Sequence, residues 1–112
     1  MIYTQLSTNY KYDVIANAIY AREIEYFHYD FDRINFEYLL TQLPNGPYRT
    51  DIKTRLSNTI KQMHNVSLII DALRSQIDDE TAYNAAVERM TAKRATENTA
   101  ALSTPTTSQW GG

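Results

Sequence analysis

The 112-residue chain has no cysteine. That absence excludes disulfides, thiol catalysis and thiolate metal sites, and it fits a reducing compartment. Glycine and proline number only three each. Neither occurs from Met1 to Leu43; they cluster as Pro44-Asn45-Gly46-Pro47 and are then absent until Pro105. Gly46, Gly111 and Gly112 cannot form a phosphate-cradling loop. Ser7, Ser57, Ser67 and Ser75 lack the glycine-framed turn that exposes a nucleophilic hydroxyl. No enzyme and no cofactor are expected. There is no uninterrupted apolar run of membrane-spanning length, and the opening MIYTQLSTNYKYD lacks the basic start and apolar stretch of a signal peptide. A soluble chain is the expectation. Charge of one sign is also missing: a net −2 and a pI near 5.6 give neither a basic field for nucleic acid nor an acidic mimic of one.

What is present has a helical period. Before the Pro-Gly cluster, Tyr20, Ile24, Phe27, Phe31, Ile34 and Tyr38 recur at alternating steps of three and four. After it, Ile52, Leu56, Thr59, Met63, Val66, Ile70, Leu73 and Ile77 continue the same alternation. Such spacing is a helix-packing seam, whereas strands would alternate by two. Pro44-Asn45-Gly46-Pro47 supplies a reversal, with Pro47 suited to a first helical turn. Folding the chain about residue 45 sets Tyr38 opposite Ile52, Ile34 opposite Leu56, Phe31 opposite Thr59, Phe27 opposite Met63, Ile24 opposite Val66 and Tyr20 opposite Ile70. The charges agree with that pairing: residues 1–43 hold three basic and six acidic side chains, and residues 47–77 hold five basic and two acidic. The sequence therefore predicts an all-α protein built on an antiparallel helical hairpin, about 13–43 and 47–77.

Asp78-Asp79-Glu80-Thr81 then offers acidic residues where a helix N-terminus favours them, followed by the helix formers of AYNAAVERMTAKRA. A third short helix over about 79–94 is expected, either separate from the second or continuous with it. From Ala95 the chain is small and hydroxylated, with only Leu102 and Trp110 to bury. Residues 1–94 thus read as a single helical domain and residues 95–112 as a flexible Ser/Thr-rich tail.

Nine tyrosines stand against three phenylalanines and one tryptophan, and seven of the nine precede Leu39. Tyr26, Tyr29, Phe36 and Leu40 fall off the seam just described. A two-helix hairpin buries one stripe of each arm, so a second stripe needs cover from another surface. The expectation is self-association, or contact with another protein, anchored by Tyr26, Tyr29, Phe36 and Leu40, with Trp110 anchoring the tail. Glu25-x-x-His28, with Asp32 a turn further on, has the spacing by which helix bundles hold metal ions. It occurs once, and His64 and Asp71 on the second helix have no carboxylate at the matching offset, so the residues read as a solvated polar stripe rather than a metal site. Only a dimer bringing two copies together would make a metal-carboxylate bundle of it. Arg49, Lys53, Arg55 and Lys61, near Tyr48, could track a phosphate backbone, but they equally complement the acidic first arm, and nucleic acid is not expected as a partner.

AREIEYFHYDFDRINFEYLLTQLP, with the later QIDDETAYNAAVERM, resembles small phage-encoded helical proteins. The resemblance spans roughly residues 14 to 90 and implies no catalytic residues. It implies a viral protein, located in the virion or the host cytoplasm. The resulting expectation is a non-enzymatic phage structural or assembly component that works by helix packing and tail docking. The alternative is a viral inhibitor of a host protein.

Overall fold

The computed structural model describes residues 2–103, with side chains described from 9 to 98. It contains three helices, α1 (Ile2–Gln42), α2 (Pro47–Arg74) and α3 (Glu80–Ser103), and no strand among the described residues. The all-α fold and the helical hairpin match the sequence reading. α1 begins well before residue 13, because nothing between Ile2 and Leu43 interrupts a helix.

The reversal is set by backbone chemistry. Leu43 N–H bonds the Leu39 carbonyl at 2.9 Å to close the last turn of α1. The Arg49 guanidinium, from the first turns of α2, donates to the Leu40 carbonyl and, at 3.2 Å, to the Leu43 carbonyl. A cation therefore sits at the negative end of the α1 dipole and satisfies carbonyls that the helix leaves open. Gly46 lies at φ 156°, ψ −173°, a region that essentially only glycine occupies. Pro47 then opens α2, and Thr50 N–H bonds the Gly46 carbonyl at 3.1 Å to form its first turn.

Residues 75–79 separate α2 from α3, which settles their continuity. The Ser75 hydroxyl donates to the Ala72 carbonyl at 2.6 Å, and Ser75 N–H bonds the Asp71 carbonyl at 3.0 Å. Asp79 then caps α3, its carboxylate accepting from Ala82 N–H at 3.1 Å. Competition for backbone groups by Ser and Asp side chains breaks the helix without glycine or proline. α3 continues to Ser103, past the end expected at Arg94, through the alanine-rich ATENTAALS. The rest of the tail, Trp110 included, lies outside the described residues.

Contacts group the described residues into two compact units, residues 18–76 and residues 2–17 with 77–103. In the first unit Ile19, Thr59, Met63 and Val66 are buried, and Ile52, Leu56, Ile70 and Leu73 are half-buried. The α2 seam is thus the one the sequence indicated. In the second unit Tyr12, Ile15, Ala16 and Ala86 are buried. There Arg89 pairs with Asp13 at 2.6 Å, and the Tyr12 hydroxyl donates to the Asp78 carboxylate, with Lys11 at 3.6 Å from the same carboxylate. Among the described residues no helix is long and apolar enough to cross a membrane.

Candidate helix-packing surface

The face of α1 turned toward α2 is not the seam the sequence suggested. Tyr26 meets Ser67 and Ile70 around a shallow groove of about 210 Å³ that Glu23, Phe27 and Asp71 also line. Glu23 pairs with Arg74 of α2 at 3.2 Å. Along the same side of the helix Tyr26, Tyr29, Arg33, Phe36, Leu40 and Leu43 are half-buried. Four of these are the side chains set apart in the sequence as partner anchors; the hairpin itself takes up much of their surface.

Most of the expected seam is exposed, while Phe27 also borders that groove and Tyr20 is half-buried. Phe27, Phe31 and Tyr38 are 65, 66 and 63% exposed, Ile34 is 51% exposed and Ile24 37%. The register that paired Phe27 with Met63 and Phe31 with Thr59 is therefore corrected by a rotation of α1 about its axis. Arg33 lies on the inner side of that rotation. Arg33 donates to Asp30 at 2.8 Å and to Glu37 at 2.9 Å, and its guanidinium is held further toward the charged form by those two bonds. With its charge matched inside the helix and its stem able to lie along apolar surface, Arg33 takes an inward position that a count of apolar letters leaves blank.

The consequence is an inverted distribution. Between Ile24 and Tyr38 the inner face carries Tyr26, Tyr29, Arg33 and Phe36, while Ile24, Phe27, Phe31, Ile34 and Tyr38 share the outer one. Ile24, Phe27, Phe31, Ile34 and Tyr38 follow steps of three, four, three and four, which keeps them on one stripe along four turns of helix. Three aromatic side chains of roughly 200 Å² each, about two-thirds exposed, leave roughly 400 Å² of aromatic surface in water before the isoleucines are counted. That is within the size range of the largest apolar patch on a typical monomer, a kind of patch that is often functional. α2 adds Leu68 and Ile69, 53 and 45% exposed.

The other groups singled out in the sequence do not gather. Glu25 is taken up by Arg22 at 2.7 Å, His28 and Asp32 are exposed, and no cluster of three potential metal ligands forms among the described residues. Of the basic residues on α2, Arg49 is committed to the α1 carbonyls and Arg55 to Asp51 at 2.8 Å. A second groove, of about 480 Å³, lies between Tyr10, Val14 and Met90, and its wall holds the Asp13–Arg89 pair and Lys93. No family model matches the chain, and no curated protein or solved structure matches it.

Proposed function

We propose that this chain is a non-enzymatic assembly component that works by packing the outer stripe of α1 against another helix. The observation that supports the reading most is the inverted distribution on α1: the more apolar of its two stripes, from Ile24 to Tyr38, is the one the hairpin leaves in water. Covering it with a helical surface removes that cost without any change in the hairpin, since the inner stripe is already engaged. The setting proposed is a phage particle or its assembly, which rests on the resemblance carried by AREIEYFHYDFDRINFEYLLTQLP. In that setting the chain is recovered in stoichiometric amounts from purified particles.

The test is in-cell photo-crosslinking with a reactive amino acid in place of Phe27, Phe31 or Tyr38, and exposed Lys53 of α2 as the control position. Protein adducts from the stripe and none from the control are expected. If none of the three stripe positions yields an adduct to any protein, the packing role is wrong.

A further inference from the structure

We infer that the helix covering this stripe is α1 of a second copy, running parallel and in register; the inference rests on the packing role and names its partner. The flanks of the stripe carry the argument. With Ile24, Phe31 and Tyr38 at one seam position and Phe27 and Ile34 at the other, one flanking row is Glu23, Asp30 and Glu37, and the opposite row is His28, Asn35 and Gln42. The first row is wholly acidic and the second has no carboxylate.

In a parallel pair each flank residue meets the partner residue five positions further on in the opposite row. Glu23 then faces His28 of the second copy, Asp30 faces Asn35 and Glu37 faces Gln42, so every carboxylate finds a neutral or basic hydrogen-bonding group. In an antiparallel pair each row stands against itself, setting Glu23 near Glu37 and Asp30 near Asp30 of the other copy. The ion pairs to Arg33 and Arg74 on that side lessen this repulsion without removing its sign. A foreign acidic helix is disfavoured for the same reason.

Area agrees with the pairing. Two copies that bury their three outer aromatics remove roughly 800 Å² from water, and Ile24 and Ile34 bring the sum to about the 1,000 Å² a specific interface needs. The row facing the partner is also clear of the hairpin: His28, Asn35 and Gln42 are all exposed, so α2 does not occupy the approach.

Because the chain has no cysteine, single cysteines report the geometry directly. Ile24→Cys and Tyr38→Cys sit near opposite ends of the stripe at exposed positions, and the other stripe residues remain in each variant. In a parallel pair each faces its own counterpart within the few ångströms a disulfide requires, so mild oxidation links each variant to itself. In an antiparallel pair like positions lie about 21 Å apart along the axis; only a mixture of the two variants then cross-links. The expected result is self-linking of both variants, no linking of Lys53→Cys, and native mass at twice the 12.9 kDa of the chain. Cross-linking confined to the mixture, or a monomer mass for the purified full-length chain, overturns the inference. A monomer whose stripe still photo-crosslinks to a different protein in cells removes the second copy and leaves the packing role standing.

Discussion

Phe27→Asp and Val66→Asp put the same carboxyl group on the two arms of one hairpin, and the structure assigns them opposite outcomes. Val66 is 2% exposed. Replacing it forfeits about 1.5–3 kcal/mol of apolar burial, and a carboxyl trapped there must stay neutral. At pH 7 that costs about 1.4 kcal/mol for each unit above an ordinary pKa near 4, roughly 4 kcal/mol. The sum of about 6 kcal/mol matches the whole stability expected of a small domain, about 5–15 kcal/mol. Phe27 is 65% exposed, so only about a third of its burial term is lost, roughly 0.5–1 kcal/mol. The new carboxylate stands one turn from Glu23 and Asp30, adding about 0.2–0.5 kcal/mol of repulsion for each. Its total stays near 1–2 kcal/mol. Circular dichroism during urea unfolding reads the difference, and dilute samples separate folding from self-association, whose contribution depends on concentration. Val66→Asp should lose most of its helix signal in water, whereas Phe27→Asp should keep a cooperative transition with a modestly lower midpoint. Loss of that transition in Phe27→Asp would refute the orientation of α1.

Three further outcomes follow from the turns and the second unit. Gly46→Ala meets no atom within 4 Å of the added carbon, so its cost is purely conformational, about 1–3 kcal/mol from forcing a side chain into φ 156°; a urea titration checks it. Asp79→Ala removes the cap on Ala82 N–H and should lower stability by about 1 kcal/mol, with Asp79→Asn recovering most of it. Asp78 titrates below its ordinary 3.8, first because it accepts from the Tyr12 hydroxyl and then because of the Lys11 charge. Tyr12 is pushed above its ordinary 10.0 mainly by that same hydrogen bond. A depressed carboxyl contributes stability that is present above 3.8 and lost as pH falls through the lower folded value; a raised phenol contributes stability that is present below 10.0 and lost as pH rises through the higher folded value. The melting temperature of the wild-type chain should therefore fall at both extremes, and Tyr12→Phe should flatten both arms relative to neutral pH. Parallel profiles for the two chains would rule this contact out as the source.

Most of the architecture was legible because it depends on rare residues. Three glycines and three prolines leave few places to turn, and Pro44-Asn45-Gly46-Pro47 marks one of them with its conformational requirements written into the residue types. The α2 seam was legible for a related reason. Ile52, Leu56, Met63, Val66, Ile70 and Leu73 form its dominant apolar series, and Thr59 is small enough to sit inside it. The break between α2 and α3 was harder to read, because Ser75 and Asp79 act through specific hydrogen bonds to Ala72 and Ala82 rather than through any intrinsic inability to be helical.

α1 shows where letter counting fails. Its two stripes have equal periodicity, and the one with the higher apolar content reads naturally as the core. The selection is made by terms outside that count: the match of Arg33 to Asp30 and Glu37, the reach of Arg49 to the Leu40 and Leu43 carbonyls, and the Glu23–Arg74 pair. The Arg49 and Arg74 contacts tie α1 to α2 through polar atoms, whereas the Arg33 pairs, lying within α1, let a charged residue sit on its inner face. A helix that faces one neighbour needs a single apolar stripe, and the second would be a liability in water. A helix between two neighbours needs both, and it can place its more amphipathic set on the side that stays partly wet. Under the proposed packing role, the seam found in the sequence is a packing stripe whose partner is not α2. Phe27, Phe31 and Ile34 keep helix-packing periodicity on the side of α1 that the hairpin leaves exposed, and that is why the proposed partner is a helix beyond it.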